Sequence, residues 1–408
     1  MLRTLAGQLL AALPYALLLF GTAWLAPRSG RLPPTLVDFL DILPLVLSGI
    51  CAVLAFSFHR GRIVVIALAA GLAYWGMQQA ATLTPAQGIL LFTLSQLALC
   101  LNLALFAYVP ERGMLSRFGA IRLAFIAVQA GIIAGLVALD SETLAALCQA
   151  RIIDWPFFER LHIAQLSLLF LLPALVSLIV RAILQPGAIN AAFLTAFLAV
   201  CFAAFRPDIS HWMTLYMSAT VVILTFGLLQ DSYRMAFRDE LTGLPARRAL
   251  QHKLNSLGNE YTIAMLDVDH FKQFNDTHGH DVGDQVLKLV AAHLARVNGG
   301  GTAYRYGGEE FTIVFPRKNI KQCIPHLSEV RENIENHTMQ LRGRERPRKA
   351  EKGRRKRGRT APGKRVSVTI SIGVAERNER LETPRQVMEA ADKALYRAKG
   401  KGRNQISR

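Results

Sequence analysis

The sequence is poor in cysteine and poor in charge for its length. Its five cysteines, Cys51, Cys100, Cys148, Cys201 and Cys323, are scattered and form no CxxC pair. That excludes a disulfide scaffold. Charged residues make up only 19% of the 408 positions against 52% hydrophobic ones, which excludes disorder over most of the length. Acidic residues are the scarcer sign: 29 Asp and Glu stand against 47 Lys and Arg, a net charge of +18. A positive mean hydropathy of +0.27 is also foreign to an ordinary soluble chain of two or three domains. A chain both oily and basic points to a membrane protein whose charge lies outside the bilayer.

The character changes near Gln230. Before it charges are rare and apolar runs are long; after it charges are dense and the pattern is globular. A helix needs about 20 apolar residues to cross a bilayer. About eight spans are expected, near Leu5–Ala26, Ile42–Phe58, Ile63–Thr82, Gly88–Val109, Gly119–Leu139, Leu161–Val180, Ala182–Phe205 and Trp212–Leu229. The first has the basic start and small residues of a cleaved signal peptide, but so many later spans favour a retained anchor.

Basic residues flank alternate loops, at Arg60 and Arg62, Arg112 and Arg117, Arg181, and Arg234 and Arg238, whereas Asp140, Glu142, Asp154 and Glu159 make one intervening loop acidic. The positive-inside rule then puts both ends in the cytoplasm, with Arg28 and Arg31 as exceptions. Intramembrane charge is scarce, which argues against a transporter. Gln78, Gln79, Gln96, Asn102, Gln129, Gln165 and Asn190 are left as helix–helix contacts or a modest ligand pocket. Trp155, Phe157 and Phe158 read as interfacial anchors.

Beyond Gln230 the periodicity predicts a strand over Tyr261–Val268, a helix over Gly283–Val297, a hairpin of Thr302–Tyr306 and Glu309–Pro316 turning at Gly307-Gly308, a helix over Ile320–Asn336, a strand over Val366–Ala375 and a helix over Pro384–Ala398. This β-α-β-β-α-β order implies a ferredoxin-like, polymerase-palm type α/β domain with a mainly antiparallel sheet, behind an all-α polytopic membrane region. In such a sheet the first strand and the hairpin are neighbours, so Asp267 and Glu309 point at one spot. Hard oxygen ligands suit Mg²⁺, with substrate phosphates completing the shell. Two metals about 4 Å apart would stabilise in-line attack at phosphorus. His270, His278 and His280 lack the regular spacing and Cys partners of a zinc site.

Arg305-Tyr306-Gly307-Gly308-Glu309-Glu310-Phe311 resembles the signature of the GGDEF-family diguanylate cyclases. So does Asp267-Val268-Asp269-His270-Phe271-Lys272-Gln273-Phe274-Asn275-Asp276, followed by Gly279-His280 and Gly283-Asp284. Asp239-Glu240-Leu241-Thr242-Gly243-Leu244-Pro245 is similar to the family's start, Val368–Ala375 to its last central strand, and Asp392–Lys399 with Gly402-Arg403-Asn404 to its C-terminal end. The resemblance covers about Arg238 to the C-terminus. It implies condensation of two GTP into cyclic di-GMP and two pyrophosphates, with one GTP on each protomer of a homodimer. It also implies Asp267, Glu309 and the Val268 carbonyl as ligands of two Mg²⁺ (or Mn²⁺) ions, and Glu310 as the group that helps activate the 3′-hydroxyl. Asn275 and Asp284 would read guanine. Phe271, Lys272, Gly307, Gly308, Lys399 and Arg403 would hold the rest of the nucleotide, Arg403 through its planar fork.

The sequence departs from the family at two places. An Arg-x-x-Asp product-inhibition motif would fall on Asn298 and Gly301 and is missing. Leu341–Arg365 carries 13 Lys or Arg against Glu345 and Glu351, a net +11, without a core-forming pattern. This insertion is expected to be disordered. It is either a tolerated surface loop or a contact for anionic lipid, at about 1 kcal/mol per basic residue near the surface; specific nucleic acid is less supported. The expected organisation is a membrane sensory region over 1–230, a short helical linker over 231–238 and a catalytic domain over 239–408, at the bacterial inner membrane with the catalytic domain cytoplasmic. The alternative is an inactive GGDEF domain that binds GTP or a partner.

Overall fold

The computed structural model describes residues 2–31, 33–150, 164–206, 209, 211–340 and 365–408. Trp155, Phe157, Phe158 and nearly all of the basic insertion lie outside them. The chain divides into two compact units, Met1–Tyr233 and Arg234–Arg408.

The first unit is helical. Six described helices are long and apolar enough to cross a membrane: Thr35–Ser57, Gly61–Thr82, Pro85–Tyr108, Arg117–Ala138, Gln165–Leu184 and Trp212–Phe237. Pro34 and Pro85 open two helices where their missing N–H groups cost nothing, and the Thr84 hydroxyl caps the second by accepting from the Gln87 amide. Helix Leu2–Leu25 coincides with the first expected span, its side chains described from Leu13 onward. The seventh expected span, Ala182–Phe205, is corrected: Leu184 ends one helix, and the next, Ala188–Ala203, has only 16 residues. At 1.5 Å per residue it falls short of the roughly 30 Å hydrocarbon layer. Gln185-Pro186-Gly187 divides the apolar run, because proline and glycine break the ladder there.

Small residues line the packed faces, with Ala67, Ala70 and Ala73 on one helix and Ala192, Ala196 and Ala199 on another all buried, so backbones approach closely. Several polar residues tie helices together. Gln96 donates to the Val200 carbonyl, Asn102 to Gln129, and Arg122 to the carbonyls of Pro110 and Arg112. Arg60 pairs with Asp231 at 2.6 Å and Arg62 with Glu111 at 3.0 Å.

The second unit is built on a five-stranded sheet. Its strands are β1 Tyr261–Val268, β2 Thr302–Gly307, β3 Glu310–Pro316, β6 Ile370–Glu376 and β7 Ile406–Ser407, ordered β2-β3-β1-β6-β7. Only β6 and β7 run parallel. Successive side chains of a strand face opposite sides. Ala264, Leu266 and Val268 therefore pack with helices His280–Leu294 and Ile320–Glu335, while Tyr261, Ile263 and Met265 pack with Arg247–Asn255 and Pro384–Gly400. Gly373 has room only for hydrogen, since a Cβ there would lie 2.0 Å from the Leu395 amide nitrogen.

Three local expectations are revised. The expected strand Val366–Ala375 is broken. Arg365–Val366 (β5) pairs with Met339–Gln340 (β4) in a separate ribbon, and β6 begins only at Ile370. Thr369, between them, gives its carbonyl to the Asp269 amide and its hydroxyl to the Asp269 carboxylate. The helix expected from Gly283 starts three residues earlier, at His280, and Phe271–His278 forms a helix of its own. Gly279, at φ +82°, makes the break between them. The hairpin turn is Gly308-Glu309, because Gly307 pairs with Glu310; only Gly308 needs positive φ.

Candidate active site

The site forms where β1 ends beside the tip of the β2–β3 hairpin. Antiparallel pairing sets Asp267 opposite Glu310, and one residue back the hairpin turn carries Glu309. The register thereby brings the charges of Asp267, Glu309 and Glu310 within reach of one another. Asp267 is buried, and its Oδ2 lies 2.8 Å from the Lys399 ammonium at the end of helix Pro384–Gly400. Burial pushes the Asp267 carboxyl above its ordinary value; Lys399 opposes this, and Glu309 and Asp269 reinforce it. Glu310 is also raised, by burial first, then by the Asp267 and Asp392 carboxylates, with Lys399 opposing. Lys399 thus meets a carboxylate here, whereas the family resemblance implied a phosphate contact.

The hairpin tip is held from below. Arg305 donates through Nε and Nη2 to the Gly308 carbonyl, and through Nη1 to Asp239 at 2.7 Å. Asp239 also accepts the amide and hydroxyl of Thr242. The opening segment Asp239–Pro245 and the hairpin are therefore one hydrogen-bonded assembly, closed by the Arg305 amide on the Pro245 carbonyl.

A second support sits behind β1. Buried Asp269 accepts the hydroxyls of Thr369 and Ser371 and the amide of Asn404. The Asn404 side chain is gripped in turn by Arg331 and Glu335. This fixes the Gly402-Arg403-Asn404 turn, whose three residues all have positive φ. Arg403 is exposed there, and its amide donates to the Ala398 carbonyl. Sequence reasoning quoted Asp269, Arg305 and Asp239 as motif letters without giving them these positioning roles. The signal for Asp269 was available: it is a second carboxylate at a strand end, two residues from Asp267.

The expected guanine readers lie on two helices joined at Gly279. Asn275 Oδ1 is buried without a hydrogen-bond partner. Gly283 makes the room for it, since a Cβ at 283 would fall 1.8 Å from that oxygen. Asp284 is exposed on the next position. An unpartnered buried acceptor is costly, and a guanine N–H or amino group would satisfy it. Phe271, expected in a phosphate loop, begins a helix and its ring is in the core; Lys272 beside it is exposed.

The donor set fits a hard divalent cation: carboxylate oxygens from Asp267 and Glu309, and the Val268 carbonyl at the end of β1. Burial first, and then the neighbouring Glu309 and Asp269, raise the proton affinity of Asp267, and a cation there would reverse that. Among the described residues no three His, Cys, Asp or Glu side chains group as metal ligands, so backbone and substrate oxygens have to complete any shell.

Residues 236–405 match the family described as "Diguanylate cyclase, GGDEF domain". The match falls within the second unit and covers less than half of the chain. It is 36% identical over 175 residues to "Diguanylate cyclase VdcA" of Vibrio cholerae, covering 42% of this chain and 46% of that one. To "Response regulator PleD" of Caulobacter vibrioides it is 33% identical over 187 residues, covering 44% of this chain and 37% of the relative. A solved structure of the coiled coil and GGDEF domain of DgcB from Caulobacter crescentus with c-di-GMP is 33% identical, with 44% of this chain and 89% of that one covered and a TM-score of 0.38. The chain spans less than half the length of these two curated relatives.

Proposed function

We propose that this protein is a membrane-bound diguanylate cyclase that condenses two GTP into cyclic di-GMP and two pyrophosphates. The observation that carries the reading is the β1–β3 register, which sets Asp267 opposite Glu310 with Glu309 one residue before it. The six apolar helices support a membrane location. GTP is cytoplasmic, so the second unit belongs on the cytoplasmic side of a bacterial inner membrane. Two protomers, each holding one GTP, face each other as a homodimer.

Asn275 accepts from the guanine edge and Asp284 shares that recognition, which discriminates against adenine. Lys272, Arg403 and the backbone at Gly307 and Gly308 hold the phosphates. Asp267, Glu309 and the Val268 carbonyl would hold two Mg²⁺ or Mn²⁺ ions, whose charge would offset the negative charge that builds on the reacting phosphate. Glu310 takes the proton of the attacking 3′-hydroxyl. Its raised proton affinity, from burial and from the Asp267 and Asp392 carboxylates, suits a general base. Lys399 pairs with Asp267 at 2.8 Å, and the same ammonium would suit a phosphate of the nucleotide. The membrane region regulates how the two GTP-loaded faces meet, and the basic segment 341–365 contacts anionic lipid.

The test is cyclic di-GMP formation from GTP and Mg²⁺ by membranes containing the full-length protein, with Glu310→Ala in parallel. Product in the wild type and none in the variant is expected. Absence of product from both, even with the second unit forced into a dimer, would refute the catalytic reading.

A further inference from the structure

Within the first unit, helices Gly61–Gln79, Pro85–Tyr108 and Arg117–Ala138 line a half-open cavity of about 130 Å³. Its walls are apolar, including Ala73, Leu91, Leu99, Ile126 and Ile133. Three polar side chains open onto it: Ser95, Asn102 and Gln129. Asn102 Nδ2 donates to Gln129 Oε1 at 2.7 Å. That single bond leaves the Asn102 carbonyl oxygen, the Gln129 amide nitrogen and the Ser95 hydroxyl without partners among the described residues. Asn102 and Ser95 are only 3% and 6% exposed. Gly76 keeps the Ser95 hydroxyl in place, because a Cβ there would lie 2.8 Å from its oxygen.

These groups face the cavity, where a bound molecule can reach them. Apolar walls with a few converging donors and acceptors are the usual make-up of a small-molecule site. The size sets the class, since an apolar protein cavity of about 150 Å³ holds one benzene ring. The polar set supplies both an acceptor and a donor, which suits a hydroxyl. No charged side chain lines the cavity, so an ion would be buried without a counter-charge. A lipid tail would fill the volume and leave all three polar groups unpaired.

We propose that this cavity is a binding site for a small, neutral, ring-sized molecule carrying a hydroxyl, held by Asn102, Gln129 and Ser95. The proposal concerns binding by the first unit and stands whether or not the second unit is catalytic.

The experiment uses the full-length protein in phosphatidylcholine nanodiscs, with ¹⁹F NMR of 4-fluorophenol and of fluorobenzene, and empty nanodiscs as the partition baseline. Saturable binding of 4-fluorophenol is expected, about tenfold tighter than fluorobenzene, the size of one hydrogen bond. Gln129→Leu should bring the two probes level, and Ala130→Phe should abolish binding of both. Should Ala130→Phe fail to fold, Gln129→Leu decides alone. Distribution of both probes as in empty nanodiscs, equal affinity for the two in the wild type, or unchanged phenol preference in Gln129→Leu would each overturn the assignment.

Discussion

Gly283→Ala offers the sharpest test of how the site reads its base. The new Cβ would fall 1.8 Å from Asn275 Oδ1, 2.9 Å from its Cγ and 3.3 Å from Phe271 Cζ. The first distance is roughly 1.5–2 Å inside non-bonded contact. Phe271 is core, so the Asn275 amide is what swings away. Fold stability should hold or improve, because Gly283 lies inside helix His280–Leu294 and alanine there gains about 0.5–1 kcal/mol over glycine. Binding should suffer instead. Losing the Asn275 acceptor forfeits one hydrogen bond and leaves a guanine donor unpaired, together about 1–3 kcal/mol. KM for GTP should therefore rise by roughly 5- to 150-fold, with a much smaller change in kcat. The assay is steady-state pyrophosphate release over a GTP series, for Gly283→Ala, Asn275→Ala and the double variant. Because the glycine acts through the asparagine, the double variant should be no worse than Asn275→Ala alone. An unchanged KM in Gly283→Ala, or fold-losses that multiply in the double variant, would show that Asn275 does not read the base from this position.

Other outcomes follow from the supports around the carboxylates. Asp269→Ala strips the acceptor from Thr369, Ser371 and Asn404, so about 3 kcal/mol of stability should go at roughly 1 kcal/mol per bond; denaturant titration of the second unit's transition measures it, and a loss under 1 kcal/mol would contradict the network. At Asp239, burial alone would raise the carboxyl, but the Thr242 hydroxyl, Arg305 and the Thr242 amide outweigh it and hold it below its ordinary value. A depressed carboxylate stabilises the fold above its unfolded pKa and loses that contribution as pH falls through the folded one. Asp239→Asn should thus lower Tm at pH 7, with the gap closing below about pH 4; a gap independent of pH would count against the ionic tie to Arg305. Cyclic di-GMP should not inhibit through Asn298 and Gly301. Restoring the pair as Asn298→Arg with Gly301→Asp should cost about 1–3 kcal/mol, because a Cβ at 301 meets the buried Phe315 ring at 2.5 Å; inhibition regained at wild-type stability would refute this.

The strand and hairpin that carry the carboxylates were legible in the sequence, and much of their support was not. Alternation fixed β1 to the residue, and the motif spacing placed Asp267 beside the hairpin, as the register of β1 with β3 bears out. Those features are local, or depend on one strand pairing. What escaped is what joins distant segments. Asp269 and Asn404 are 135 positions apart, and Arg305 and Asp239 are 66 apart. No period in the chain announces such bonds. The interruption at Thr369 escaped for the same reason, since Val366–Ala375 has a strand's composition throughout and only the Asp269 carboxylate and amide draw Thr369 out of the ladder. The helix break at Gly279 is different. A glycine between two polar runs was visible, but the sequence predicts the helix only from Gly283 and assigns Phe271–His278 no element.

The arrangement also explains why the carboxylates and their supports occur as a set. Three acidic groups near one strand end repel one another; burial first, and then that repulsion, makes Asp267 and Glu310 hold protons more tightly. A loose hairpin would relieve that repulsion by moving Glu309 and Glu310 outward. Arg305 prevents this by gripping the Gly308 carbonyl from one side and Asp239 from the other, so the turn cannot move without breaking a charge-assisted bond. Asp269 does the same for the turn that carries Arg403. The crowded negative charge is therefore kept at the site, where a cation would offset it, and is not dissipated in the loops around it.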